Sequence, residues 1–200
     1  KLREIGLQPQ VLICRTERML DLDLRQKLSM FCSVAEKAVI EERDVAHTIY
    51  EVPLTLHAEG LDQLVCDLLG LKTRQPDLAE WKNFVKRVIS PAKRVRIAVI
   101  GKYFDVRDAY KSIYESLTHA AASEDCGIDL ELIDAESLQD GVNGQFNDVS
   151  GVLIPGGFGL RGVEGKIKAA RFAREHKIPF LGLCLGMQVA TIEFARNACG

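Results

Sequence analysis

The chain has 200 residues, 47% of them hydrophobic and 27% charged, with a formal net charge of −2. That is the composition of a folded protein with chain enough for one full core or two partial ones, and it excludes the disordered and fibrous classes. A near-neutral balance supplies no field to draw the molecule to nucleic acid or anionic lipid, and no apolar run approaches the roughly 20 residues that would cross a membrane.

From the amino end, Val11-Leu12-Ile13-Cys14 is a short apolar run of strand type. Leu22 to Phe31 follows helical spacing, with Leu24, Leu28 and Phe31 at i, i+4 and i+7. Ala38-Val39-Ile40 reads as a second strand. Leu61, Leu64, Val65, Leu68 and Leu69 mark a helix that ends near Gly70, a C-cap residue. Residues 1–71 are therefore α/β in character, with too few strands to close a sheet, as expected of an internal piece of a longer fold. Lys72 to Pro76 is polar and Pro-containing, a natural linker. Asp77-Leu78-Ala79-Glu80 has the form of a capping box, and the helix it opens carries Trp81, Phe84, Val85, Val88 and Ile89. Residues 72–93 are thus expected to be a linker with a helix.

Residues 94–200 alternate regularly. Strands are expected at Val95–Ile100, Ile128–Ile133, Gly151–Ile154 and Pro179–Leu183. Helices are expected at Ala109–Ser123, Gly165–His176 and Leu185–Arg196. Continuous apolar strands separated by helices predict a parallel sheet with both faces covered.

Six scattered cysteines, Cys14, Cys32, Cys66, Cys126, Cys184 and Cys199, form no C-x-x-C pair. No histidine cluster accompanies them, so no metal site is expected. Reduced cysteines inside apolar runs act as small hydrophobes and favour a cytoplasmic setting over a disulfide framework.

The strongest chemical signal is Gly182-Leu183-Cys184-Leu185-Gly186, between a strand and a helix. It is the cysteine counterpart of the G-x-S-x-G nucleophile elbow. A sharp strand-to-helix turn strains the nucleophile's backbone, and small residues on either side avoid clashes. The turn lifts the sulfur above the carboxyl edge of the sheet, where open α/β folds bind ligands, and the following helix N-terminus favours an anion there. Taken alone, a cysteine in an apolar run is more often a core residue. Pro155-Gly156-Gly157-Phe158-Gly159 follows the neighbouring strand and supplies closely approaching backbone N–H groups. Acyl transfer needs two such donors, and those of Gly157 and Leu185 are the candidates. A cysteine nucleophile also needs a base. His47, His57, His119 and His176 all precede the elbow without an evident acidic partner, so the base is expected outside this sequence.

Gly182-Leu-Cys-Leu-Gly-Met-Gln188 and Pro155-Gly-Gly-Phe-Gly159 resemble the nucleophile and oxyanion loops of class I glutamine amidotransferases. Pro155 through Gly165, Ala170-Arg-Phe-Ala-Arg-Glu175, Gly101-Lys-Tyr103 and Asp108-Ala-Tyr-Lys-Ser112 narrow the resemblance to the CTP synthase family. Leu12-Ile-Cys-Arg15, Phe31-Cys32, Glu36-Lys-Ala-Val39 and Ile49-Tyr50-Glu-Val-Pro53 agree with it. The resemblance implies the end of a P-loop-type synthetase domain, a linker helix, and a flavodoxin-like, parallel-sheet amidotransferase domain, both domains incomplete. It implies ATP-dependent amination of UTP to CTP with ammonia released from L-glutamine.

By the same resemblance Cys184 is the nucleophile, and Gly157, Leu185, Gly186, Met187 and Gln188 hold the glutamine and its oxyanion. Lys27 lies near the UTP or CTP phosphates, and Arg43, Asp44 and Val45 line the ATP adenine. Arg43 stands where the family often has lysine, which matters little if backbone makes the contacts. Lys111, Phe158 and Arg161 lie near the GTP activator. ATP with Mg2+, GTP, and no prosthetic group are implied, as are a homotetramer and filaments. The phosphate loop, the Mg2+ carboxylates and the glutaminase histidine and glutamate are expected outside residues 1–200, so this segment alone is expected to be inactive. Three competitors stay open: a glutaminase serving another synthetase, a non-catalytic structural homologue, and a redox or stress-response protein with a cysteine elbow.

Overall fold

The computed structural model describes residues 2–106, 108–138, 141–142 and 144–199. The chain forms two compact units, Lys1–Ile89 and Ser90–Gly200.

In the first unit, β1 (Leu12–Thr16) and β2 (Val39–Arg43) pair in parallel, Leu12 opposite Val39 and Thr16 opposite Arg43. Successive side chains of a strand point to opposite faces. Val39 accordingly joins Leu20 and Val34 under helix α1 (Leu22–Cys32), while Ile40 joins Leu64 and Leu56 under α2 (Val52–Ala58) and α3 (Leu61–Leu68). The stripe expected on α1 is rotated: Leu28 and Cys32 pack inward, and Leu24 and Phe31 are exposed. On α3 only Leu61 and Leu64 reach the core, while Val65, Leu68 and Leu69 stay exposed. Two strands make a floor too narrow to cover whole apolar stripes.

β2 carries a partly buried ion network centred on Glu41 that the sequence did not advertise. Glu41 accepts from the Leu20 N–H at 2.6 Å and lies 2.9 Å from Arg43, while Arg25 meets Glu59 at 2.9 Å. Helix α4 (Ala79–Ile89), expected as a linker, belongs to this first unit. Trp81 Nε1 donates to the Tyr50 carbonyl at 2.9 Å, and Tyr50 packs edge-on against Phe84 with ring centroids 5.0 Å apart. Asp77 accepts from the Ala79 N–H at 2.9 Å, one half of the expected box, whereas a complete capping box sits at Thr48 and Glu51.

The second unit is a four-stranded parallel sheet in the order β4-β3-β5-β6, with β3 at Lys93–Gly101, β4 at Cys126–Asp134, β5 at Gly151–Ile154 and β6 at Phe180–Gly182. Helices α5 (Lys111–Ser123), α6 (Val163–Glu175) and α7 (Leu185–Asn197) connect and follow these strands. Ala98, Ile100, Val152 and Ile154 form the sheet side of one core, closed by Ile167, Ala169, Ala170 and Ala173 of α6 and Val189 of α7. The two outer strands depart from the expectation of full burial. Leu130 and Leu132 of β4 and Leu181 of β6 are exposed, each on a strand with one neighbour among the described residues. All four strands run the same way, so the segments after β3, β5 and β6 emerge at one edge, side by side in that order.

Candidate active site

Cys184 lies two residues past the end of β6 and is the N-cap of α7, with φ 51° and ψ −104°. A residue carrying a Cβ reaches that backbone region only under strain. Two close approaches fold the turn this tightly. A Cβ on Gly182 would lie 2.5 Å from the Gly186 carbonyl carbon, and one on Gly186 would lie 2.1 Å from the Ile154 oxygen. The Gly186 N–H closes the turn on the Leu183 carbonyl at 2.9 Å, and Leu183 N–H bonds Ile154 O at 2.9 Å. The spacing of the glycines therefore has a steric cause, and the sulfur-bearing residue is left exposed at the carboxyl edge.

The Pro155–Gly159 segment lies against this turn. A Cβ on Gly156 would be 3.6 Å from Cys184 Cβ, and one on Gly157 would be 3.6 Å from Leu185 Cδ2. Among the described residues neither the Gly157 nor the Leu185 N–H has a protein acceptor, so both remain available to an oxyanion. Gly186 spends its N–H on the turn itself. Gln188 is exposed on the first turn of α7, its N–H returned to the Cys184 carbonyl at 3.2 Å. Met187 lines an open trough with Phe180, Ala190, Thr191, Phe194 and Cys199, on the side of α7 beside the β6 edge.

Two lysines that sequence reading left out underlie the same loop. Lys102, just after β3, is 5% exposed, and Lys166, in the first turns of α6, is fully buried. The Lys102 Cε and the Lys166 Nζ each lie 3.8 Å from where a Cβ on Gly157 would be. Lys102 Nζ donates to the Phe158 carbonyl and, at 3.4 Å, to that of Arg161. Lys166 Nζ is buried without an acceptor among the described residues. Burial, and secondarily the Lys102 charge, push the Lys166 amine below the ordinary lysine value. Arg161 returns a hydrogen bond to the Lys102 carbonyl at 2.9 Å and meets Glu136 at 3.3 Å. Phe158 stands 85% exposed on the loop, and Lys111 is exposed at the start of α5.

The histidines need a correction. His57 Nδ1 lies 2.7 Å from Asp62 and His47 Nδ1 lies 3.7 Å from Glu51, so both have acidic partners, within the first unit. His176 stacks on Phe172 at the carboxyl end of α6, which runs back to the amino edge of the sheet. His119 sits eight residues into α5, roughly 12 Å down that helix at 1.5 Å per residue.

In the first unit a cavity of about 550 Å³ is lined by Arg15, Glu42, Arg43, Asp44, Val45, Ile49 and Val52, at the carboxyl ends of β1 and β2. The Arg43 and Asp44 side chains are engaged with Glu41 at 2.9 Å and Arg15 at 2.7 Å. Lys27 is exposed on α1 and pairs with Asp23 at 2.6 Å.

Residues 105–199 match the family profile described as glutamine amidotransferase class-I, and residues 1–71 match the one described as CTP synthase N-terminus. The whole chain is 51% identical to a CTP synthase of Syntrophus aciditrophicus over 200 residues, and 52% identical over 207 residues to one of Methanocaldococcus jannaschii. The chain belongs to the CTP synthase family. It spans 37% and 38% of the length of those two relatives. A solved glutaminase domain of Trypanosoma brucei CTPS with bound acivicin is 41% identical, with a TM-score of 0.48 over 53% of this chain and 42% of that one. The CTP synthase N-terminus profile falls within the first compact unit and the amidotransferase profile within the second.

Proposed function

We propose that the full-length protein carrying this sequence aminates UTP to CTP, driven by ATP, with ammonia released from L-glutamine at Cys184. The observation that carries the glutaminase half is the strained, exposed Cys184 packed beside the Gly156–Gly157 segment, with the Gly157 and Leu185 N–H groups unengaged among the described residues. The thiolate attacks the side-chain amide carbon, and the Gly157 and Leu185 N–H groups hold the oxyanion that forms. Ammonia leaves as the thioester forms, and water releases glutamate. Gly186, Met187 and Gln188 complete the glutamine-binding segment. The base that takes and returns the proton is supplied from outside the described residues, given where His119 and His176 lie.

ATP adenine fits the first-unit cavity at Arg43, Asp44 and Val45. The Arg43 and Asp44 side chains are already paired, which leaves backbone and the Val45 side chain to meet the base. Lys27 is assigned to the UTP or CTP phosphates, exchanging Asp23 for them. Lys111, Phe158 and Arg161, exposed on neighbouring segments of the second unit, are assigned to GTP. Mg2+ accompanies ATP; among the described residues no group of three or more metal-binding side chains is assembled, so no residue here is assigned to it. The synthetase part is placed at 1–71, the linker at 72–93 and the amidotransferase part at 94–200; the family profiles support the two ends. A homotetramer, with filaments built from it, is the proposed assembly, testable by sedimentation. A cytoplasmic location is proposed on the family's metabolic role; no described helix is long and apolar enough to cross a membrane.

The test compares CTP formation from UTP, ATP and Mg2+ by wild type and Cys184→Ala, each with glutamine and with ammonium. Loss of the glutamine-driven reaction alone supports the reading. No CTP from either nitrogen source by the wild type removes it.

A further inference from the structure

We propose that Lys102 is a positioning residue of the glutaminase site, tethering the Pro155–Gly159 loop so that the Gly157 N–H faces Cys184. The inference rests on the glutaminase reading above.

The loop has little of its own to hold it. Gly156, Gly157 and Gly159 carry no side chains to pack, and glycine gives up more conformational freedom on ordering than any other residue. Phe158, between them, is 85% exposed and anchors nothing. The restraint comes from beneath. Lys102 is fixed at its main chain by two bonds, its N–H to Tyr110 Oη at 3.1 Å and its carbonyl from Arg161 Nη2 at 2.9 Å. Its stem passes under Gly157, and its ammonium donates to the carbonyls of Phe158 and Arg161. Arg161 is thus bonded in both directions to one residue. The Phe158–Gly159 peptide, one residue past Gly157, is held at its carbonyl by a charge-assisted hydrogen bond, stronger than a neutral one. Fixing the Phe158 carbonyl anchors the chain just past Gly157 and so narrows how far the Gly157 N–H, carried by the Gly156–Gly157 peptide, can swing from the developing charge. The Lys102 ammonium is occupied by the two backbone carbonyls of Phe158 and Arg161.

Lys166 provides the internal contrast. It is equally close to Gly157 and more deeply buried, yet its Nζ bonds no acceptor among the described residues. Proximity of a lysine to the loop is therefore not the same as tethering it.

The experiment uses the full-length protein as wild type, Lys102→Met, Lys102→Gln, Lys166→Met and Cys184→Ala. Glutamine hydrolysis, ammonium-driven CTP formation and the rate of Cys184 alkylation by iodoacetamide are measured on each. Misplacing an oxyanion donor costs less than deleting one, so kcat for glutamine hydrolysis should fall about 10- to 100-fold in Lys102→Met. KM for glutamine should change by less than about 3-fold, and alkylation and ammonium-driven synthesis by less than about 2-fold, on the same reasoning. Lys102→Gln, which keeps an N–H donor, should recover part of kcat, and it carries the test if the Met variant does not fold. Lys166→Met should keep kcat within about 2-fold of wild type, since it removes no hydrogen bond to the described residues. Wild-type kcat in both Lys102 variants overturns the tether, as does a loss carried by KM or shared equally by alkylation. If wild type and Cys184→Ala hydrolyse glutamine alike, the glutaminase reading itself falls, and the tether with it.

Discussion

Cys184 occupies φ 51°, ψ −104°, which is close to the mirror image of the ordinary extended region. Only a residue without a Cβ finds that point comfortable, so glycine at 184 should stabilise the protein whereas alanine should not. The strain of such a backbone is about 1–3 kcal/mol. Glycine also enlarges the freedom of the unfolded chain, at a cost of about 0.4–1 kcal/mol. The net gain for Cys184→Gly is then about 0.5–2 kcal/mol relative to Cys184→Ala. Little else intrudes, because the side chain is exposed and its sulfur makes no hydrogen bond among the described residues. Urea unfolding followed by far-ultraviolet circular dichroism on the two variants measures the difference as a shift in midpoint at constant slope. Both variants lose the thiol, so the comparison isolates the backbone. Equal midpoints, or a lower one for glycine, would refute the claim that this turn stores strain for the nucleophile.

Gly186→Ala places a Cβ against the Ile154 oxygen at 2.1 Å, and neither backbone can retreat. A loss of about 3 kcal/mol is expected in the same urea experiment, the upper end for overpacking. Arg174→Met should cost about 2–3 kcal/mol by calorimetry, since it strands the Glu193 carboxylate, whose side chain is 3% exposed. The figure is kept below the usual range for a buried pair because water reaches Arg174. Lys166→Met should stabilise by about 1–3 kcal/mol at neutral pH by relieving an unsatisfied buried amine. The folded amine titrates below the ordinary lysine value of 10.5, so the unfolded chain binds more protons between the two values and wild-type stability rises with pH there. The gain from Lys166→Met should therefore shrink as pH climbs toward that range. At the other end of the scale, the hydrogen bond from His57 holds Asp62 below its ordinary 3.8. Its contribution is present above that value and lost as pH falls toward the lower folded one, so Asp62→Asn should flatten the acid limb of the stability curve.

The second unit was largely legible because β3 ends in the apolar run Ile97-Ala98-Val99-Ile100 and β5, Gly151–Ile154, is buried at all four positions. β4 misled for a physical reason. Asp129 and Glu131 alternate with its apolar residues, the pattern of an edge strand, and Asp129 is held by Arg94 at 2.6 Å. In the first unit the periodicity of α1 gave the helix but not its buried face, because a stripe of three apolar residues does not say how wide a floor awaits it. The nucleophile turn was legible because its glycines have no other tolerable replacement. The lysines were harder. A single lysine after a strand reads as a surface charge, and nothing local marks Lys102 as a tether across 56 residues.

Lys166 did leave a trace. It stands at the first place of the stripe 166, 169, 170 and 173, whose other members Ala169, Ala170 and Ala173 are core residues of α6. The same interruption recurs on α7, where Glu193 follows Gly186 and Val189 on the buried face. A charged residue in register with an apolar stripe costs stability wherever it sits, and the two cases resolve that cost differently. Glu193 is satisfied by a bidentate Arg174, with contacts from 2.8 to 3.2 Å, and so locks α6 to α7. Lys166 is not satisfied at all among the described residues, and it lies beneath the one loop that chemistry requires to be well placed. The two helices flanking the nucleophile turn are thus fixed to each other by a full ion pair at one end. At the other they meet the oxyanion loop over a lysine with hydrogen-bonding capacity unspent. The α6–α7 ion pair lies away from the turn, whereas the strained Cys184 and Lys166, unpaired among the described residues, both lie beside the Gly156–Gly157 segment.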